Sequence, residues 1–269
     1  MEGSRISRAK QVRIYTGKCF RVFKNEKGWK AFISAAIITV LISLVTSEET
    51  FVEYAATRNG AFTLVCACIW IGLFNSIRSV CKERAIIKRE HRTGLHISSY
   101  VVAHLVYEMV ISLAESLIVV AIVTVANLGH LPEEGVFLPP VMELMITFFL
   151  IIFASDALGL LISSIVRSEN SAMTVMPFIL IIQLVMSGLI FELSGAIKTV
   201  SALTISRWGL DAICATANTN AMGSIYPVSK EMESTVENLL WLWGIQLLFV
   251  VIYTVLAIAF LEQVDKDKR

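Results

Sequence analysis

The 269 residues are 56% hydrophobic and only 17% charged, with a mean hydropathy of +0.71, which is far more apolar surface than a soluble core of this size needs. Composition excludes a soluble globular domain and predicts an all-α integral membrane protein. The formal net charge of +1 conceals a strong polarity, because 19 of the 23 Lys and Arg residues fall on one side of the predicted spans.

Residues 5–27 come first. Ala9, Val12, Tyr15, Cys19, Phe20 and Phe23 recur at spacings of three and four, with Arg8, Lys10, Arg13, Lys18, Arg21 and Lys24 between them. That pattern predicts an amphipathic helix lying in the headgroup plane on anionic lipid, with Gly17 as a place to bend. A solvated basic tail is the alternative, and the aromatic residues, which need an apolar surface, favour the interfacial helix. The chain divides into residues 1–28, a membrane domain at 29–261 and a tail at 262–269.

A bilayer core takes about 20 apolar residues per helix, and six stretches approach or exceed that length, at 29–46, 61–77, 98–128, 139–166, 172–191 and 239–261. The first is too far from the start, behind roughly 28 polar and basic residues, to be a cleavable signal. Basic residues cluster at 5–30 and 78–92, with Arg167 and the last residues of the tail. The other side holds Arg58, Lys198, Arg207 and Lys230 among Glu48, Glu49, Glu53, Glu133, Glu134, Glu192, Asp211, Glu231, Glu233 and Glu237. Cytoplasmic loops carry the excess of Lys and Arg, so a multi-pass protein of the plasma (cytoplasmic) membrane with both termini cytosolic is expected. The five cysteines offer no intrachain disulfide framework: only Cys214 is expected outside, where an intermolecular bridge across a dimer axis is the disfavoured alternative.

Between the second and third spans, Asn75 and Arg78 mark the exit from the membrane. Glu83, Arg84, Lys88, Arg89 and Glu90 then follow at helical spacing, with Ile86, Ile87 and Leu95 the large apolar residues. A short helix at about 81–97, with an apolar ridge and charged flanks, suits a groove on a partner; a loop held by lipid phosphates is the alternative. Gly94 ends it, and Ser98 or Ser99 caps the third span.

In the third span His104, Glu108, Ile111 and Glu115 lie at i, i+4, i+7 and i+11, on one helix face. A mid-membrane carboxylate costs about 2.5 to 3.5 kcal/mol on the insertion scale, so that face is predicted to point into the bundle or across an interface, with Glu143 and Asp156 as neighbours. Two readings stand: a relay of His104, Glu108, Glu115 and Asp156, or structural hydrogen bonds to Ser112, Ser116, Asn127 or Thr147. The fifth span contains Pro177, a place to kink, and Gln183 near mid-membrane with Phe178, Met186 and Phe191. These line a cavity for an amphipathic cargo or pack against other helices. The segment 192–238 begins too apolar for an exposed loop and is predicted to re-enter the outer leaflet as a helical hairpin, with Trp208 at headgroup level.

The order of a basic amphipathic helix, six spans, a charged loop reading ERAIIKREHRTGLHISSYVVAH from Glu83, and a long external segment with ISRWGLDA resembles the ABC-2 type permease, specifically the membrane domain of ABCG-like (type V) exporters. The resemblance implies that residues 5–27 are a connecting helix and that 83–94 are the coupling helix, with Glu83, Arg84, Arg89, Glu90 and His91 meeting an ABC ATPase. It assigns Phe178, Gln183, Met186 and Phe191 to a cargo cavity between two copies of the chain, or the chain and a paralogue, and 192–220 to a cap above it. ATP and Mg would sit on the ATPase partner, since no G-x-x-x-x-G-K-[ST] loop is present here. Nothing points to catalysis, a cofactor in this chain, a metal site or nucleic acid: H-E-x-x-H and G-x-S-x-G are both missing. Single-cysteine external loops depart from the disulfide-stapled members of the family. The rival readings are a proton-coupled carrier using His104, Glu108 and Glu115, although no inverted repeat is found, and a non-transporting sensor or scaffold.

Overall fold

A helix satisfies its own backbone donors and acceptors when water is excluded, and every regular segment among the described residues is helical. The computed structural model describes residues 7–46, 49–127, 130–132, 134–191, 195–222 and 229–263. Among these are ten α-helices and two 3-10 turns, and no strand. In chain order they are α1 (Arg8–Asn25), α2 (Lys30–Val45), α3 (Tyr54–Ser76), α4 (Ser79–Arg92), α5 (Ile97–Ala126), α6 (Pro140–Ile165), α7 (Glu169–Val185), α8 (Gly195–Ser201), α9 (Ile205–Thr216) and α10 (Val236–Leu261), with 3-10 turns at Thr219–Ala221 and Lys230–Met232.

By length and composition α3 with its continuation α4, and α5, α6 and α10, are candidate membrane helices. A fifth candidate arises if α1 and α2, bent by 71° to one another, are counted together. The sequence predicts six spans, and the difference lies in two shorter helices. The turn through Lys27, at φ 57°, and Gly28 leaves 16 residues to α2. Ser187 and Gly188, the latter at φ 83°, follow the end of α7 after 17 residues. Pro177 is accommodated inside α7, and the expected bend at Gly17 is absent because α1 is continuous.

At the centre stands α6, buried on nearly every side and packed against α3, α5, α9 and α10. Its crossing with α3 is close because small residues face each other. A Cβ added at Gly72 would strike the Ile152 carbonyl and the Ser155 side chain, and one added at Gly159 would strike the Ser76 hydroxyl. Gly72 and Ser76 on α3, and Ser155 and Gly159 on α6, are thus two small-x-x-x-small pairs, the spacing that lets helix backbones approach in lipid.

The aromatic stripe of α1 finds its apolar surface on another helix. Tyr15 meets Tyr100 edge-on at 5.8 Å between centroids, Phe20 meets Tyr107 at 5.2 Å, and Phe23 sits between Tyr107 and Phe32. Thus α1 packs along the first turns of α5, while Ile14 and part of Phe20 stay exposed. At the opposite, acidic end the short α8 precedes α9, which is buried against α3, α6 and α10. Cys214 on α9 is fully buried, which agrees with the disfavoured standing of an intermolecular bridge through it.

Candidate functional site: helix α4 and the polar face of α5

Helix α4 has two sides. Val80, Cys81 and Ile87 are buried, while Lys82, Ala85, Ile86 and Arg89 form an exposed stripe at helical spacing. Its first-turn amides, which have no partner within a helix, are taken by α6: Val80 N–H and Cys81 N–H each donate to Ser163 Oγ at 3.0 Å. Arg84 returns the interaction, donating to the carbonyls of Ser164 at 2.8 Å and Val166 at 3.1 Å at the end of α6. Each helix therefore satisfies the terminus of the other.

The inner carboxylates of α4 are held by α1. Lys18 Nζ lies 2.9 Å from Glu83 Oε2, which also accepts from Tyr100 OH at 3.0 Å. Tyr15 OH donates to Glu90 Oε2 at 2.7 Å; burial first, and the Glu90 carboxylate second, push the Tyr15 phenol well up, so it stays a donor. Beyond them Gly94, at φ 110°, ends α4 with Leu95 N–H bonded to the Glu90 carbonyl at 3.0 Å, a left-handed close that favours glycine. Gln11 clamps this turn from α1, donating to Gly94 O at 3.1 Å and accepting from His96 N–H at 3.0 Å. His91 Nδ1 lies 2.9 Å from Leu95 O. Of the expected coupling residues, then, Arg89 lies on the exposed stripe, whereas Glu83, Arg84, Glu90 and His91 have contacts within the protein.

Along α5 the predicted polar face is real and buried, but it divides. His104 lies tilted against Tyr100, ring centroids 4.6 Å apart, and touches Cys19 Sγ of α1 at 3.8 Å, so it belongs to the α1 contact. Deeper in, Ser112 Oγ lies 2.6 Å from Asp156 Oδ2 of α6 and 2.7 Å from the Glu108 carbonyl. Asn75 Nδ2 of α3 lies 2.9 and 2.8 Å from the two oxygens of Glu115. Glu108 Oε2 and Asp156 Oδ1 are buried without a hydrogen-bond partner among the described residues. Glu143 stands apart, its carboxylate accepting the amides of Val136, Phe137 and Leu138 at 2.8 to 3.0 Å.

Gln183 and Phe178 occupy different faces of α7. Gln183 is 5% exposed, and its Oε1 accepts Ser206 N–H of α9 at 3.1 Å while its carbonyl accepts the Ser206 hydroxyl. Phe178 is 63% exposed and continues an apolar face through Ile181 and Ile182; Phe191, beyond the helix, is 57% exposed, and Met186 is half-buried. The sequence reading missed Gln11, Tyr15, Lys18 and Ser163. For three of these a signal exists, since polar groups on α1 at 11, 15 and 18 share one helical face; Ser163 has none.

Among the described residues no group of three or more His, Cys, Asp or Glu side chains is arranged to hold a metal. The described residues thus form an all-helical bundle with several apolar candidate membrane helices and a short charged helix clamped at one end. The profile of the ABC-2 type transporter family matches residues 10–218, from α1 to the turn after α9, and the chain belongs to that family. It is 31% identical over 152 residues to the ABC transporter ATP-binding/permease protein Rv1747 of Mycobacterium tuberculosis, an alignment that takes in 56% of this chain and 18% of that protein. The chain thus spans less than a fifth of this relative's length.

Proposed function

We propose that the chain is the permease subunit of an ATP-driven, ABCG-like exporter in the cytoplasmic membrane, with α2, α3, α5, α6, α7 and α10 as six crossings and both termini in the cytosol. An ABC ATPase outside this sequence, carrying ATP and Mg, grips the exposed stripe of α4. A second copy or a paralogue completes a cavity against the exposed face of α7, and an amphipathic or hydrophobic cargo moves outward past Phe178, Met186 and Phe191. Membership of the family and the name of the relative support an ATPase partner.

The observation that carries the reading is the two-sidedness of α4. Its outer stripe is exposed, while its inner side is bonded to α1 through Glu83 and Glu90, to α5 through Tyr100, and to α6 through Ser163 and Arg84. A push on such a helix reaches three others together, as rigid-body switching requires. Gln183 then serves to fasten α7 to the re-entrant hairpin, and Phe178 is the better candidate to meet cargo.

The test is to purify the tagged full chain in mild detergent from its native host and measure associated ATP hydrolysis, for the natural chain and for an Ile86→Asp, Arg89→Ala variant. A stoichiometric ATPase that leaves the folded variant supports the reading. If the ATPase stays with the variant, the stripe is not its docking surface; if none accompanies the natural chain, the exporter reading fails and a carrier or scaffold takes its place.

A further inference from the structure

At the acidic end of the bundle, three of the four basic residues expected there converge on one cavity of about 190 Å³, lined by Arg58 of α3, Lys198 of α8, Arg207 and Asp211 of α9, and Ser229 and Glu231 beside the second 3-10 turn. Charges are rare in this chain, and their gathering at one spot requires a cause. Folding accounts for part of it. Glu231 takes Lys198 Nζ at 3.2 Å and Ser229 Oγ at 3.0 Å, with Arg207 Nη2 at 3.9 Å. Those contacts, led by the backbone bond of Glu231 itself, hold its carboxyl down at about 2. Arg207 Nη1 also donates to Lys198 O and Ser201 Oγ, each at 2.8 Å.

Two groups are left over. Arg58 bonds weakly to Tyr54 OH at 3.4 Å and lies over the Tyr54 ring, but its Nε is buried with no hydrogen-bond partner. Asp211, a residue only 5% exposed, lines the same cavity, and its carboxylate is not sealed from it. Buried donors and acceptors are ordinarily satisfied, and an orphan in a native site points to something that completes it.

We propose that this cavity is a binding site for a phosphate group, free or on a lipid headgroup, held by Arg58 and Arg207 with Lys198 at the rim. The charge balance favours an anion. With Asp211 ionised the five side chains sum to one positive charge, and with it protonated to two. Guanidinium forks match the geometry of phosphate oxygens, and a cavity with room for roughly six waters admits the ion or a compact headgroup while excluding a bulky cargo. Asp211 gives the site a pH dependence. Burial raises its carboxyl to about 7 against the pull of Arg207, Arg58 and Lys198, and Glu231 adds to the rise. Below that pH the neutral carboxyl donates to the phosphate; above it, the carboxylate repels it. For a phosphate group of fixed charge, such as a phosphodiester headgroup, binding therefore tightens as pH falls from 8 to 6. The site is separate from α4 and needs no ATPase, so its failure would leave the proposed transport function standing.

The experiment titrates the purified full chain in neutral detergent with inorganic phosphate by calorimetry at pH 6 and pH 8. In parallel, native mass spectrometry counts bound phosphatidylglycerol against phosphatidylcholine. Saturable binding of either phosphate source, at least about tenfold weaker in Arg58→Gln, is expected, and for phosphatidylglycerol, whose phosphodiester keeps its charge, stronger at pH 6 than at pH 8; which of the two binds identifies the source. Binding unchanged in folded Arg58→Gln, or no saturable binding of either, overturns the proposal. Should Arg58→Gln fail to fold, Asp211→Asn decides alone: it keeps the shape and is expected to bind phosphate more tightly than the natural chain at pH 8 and equally at pH 6, a comparison from which the ion's own titration cancels, and the same ratio at both pH values would rule the site out.

Discussion

At the basic end Glu83 and Glu90 each meet a donor from α1, Lys18 at 2.9 Å and Tyr15 at 2.7 Å, whereas further along α5 the carboxylates of Glu108, Glu115 and Asp156 meet no cation within ion-pair distance among the described residues. The two clusters share side-chain chemistry and differ in surroundings. Lys18 and Glu83 keep 30% and 19% of their side chains exposed, so water carries part of the charge and the bond can form or break at little cost. Glu108, Glu115 and Asp156 are at most 1% exposed, where an unpaired polar group costs far more, and their partners are the neutral groups of Asn75 and Ser112. The first cluster is suited to relative movement of helices and the second to fixing them.

The largest expected effect attacks the fixed cluster through its backbone. Gly72 lies against the Ile152 carbonyl and the Asp156 amide, so Gly72→Val must push α3 away from α6, and overpacking of that kind costs about 3 kcal/mol. The measurement is the thermal midpoint of the detergent-solubilised protein; a midpoint equal to that of the natural chain would mean that the crossing is not tight. Next comes Asn75→Leu, which leaves the buried Glu115 carboxyl without its donor. The expected loss is about 1 to 3 kcal/mol, restored in part by the double variant with Glu115→Gln.

How much of this could be read in advance depends on what each feature rests on. Hydropathy and charge placed α3, α5, α6 and α10 well, because their length in residues is set by the bilayer. They also gave the buried face of α5, since a carboxylate in an apolar helix must point inward. Helices α2 and α7 are shorter than the apolar stretches they overlap, because hydropathy does not register the turns at Lys27 and Gly188 that stop them. The apolar stripe of α1 was assigned to lipid when it packs on Tyr100 and Tyr107, as one sequence cannot distinguish an apolar lipid from an apolar helix. Glu83 and Glu90 were assigned to the ATPase contact by the family resemblance alone, and one sequence does not reveal that Lys18 and Tyr15 lie across the gap from them. The Gly72 and Ser76 spacing was visible, and its partner pair at Ser155 and Gly159 gives it meaning.

A smaller effect on stability is expected from the mobile cluster. Glu83→Gln removes the ion pair to Lys18 while preserving an acceptor for Tyr100, and a partly exposed pair of this kind is worth under about 1 kcal/mol. Its coupling with Lys18→Met in a double-mutant cycle shrinks further as salt rises, because exposed charges are screened. In the ATPase complex proposed above, the same variant reduces cargo-stimulated hydrolysis more than it lowers the thermal midpoint; the reverse order would make the α1 to α4 contact purely structural.

The smallest effect on stability is the most informative about function. Ile86 and Arg89 stand on the exposed stripe of α4, and exposed substitutions usually change stability by less than about 0.5 kcal/mol. An Ile86→Asp, Arg89→Ala chain should therefore melt with the natural chain. An exposed apolar side chain beside a guanidinium is nonetheless the composition of an interface centre, and the loss of both should weaken ATPase binding at least tenfold, or about 1.4 kcal/mol. Melting and binding read different sides of the same helix: a variant that melts normally and loses its ATPase assigns the outer stripe to the partner, while one that melts early with the ATPase still bound assigns Ile86 to the fold and returns the coupling role to the inner residues Glu83 and Glu90.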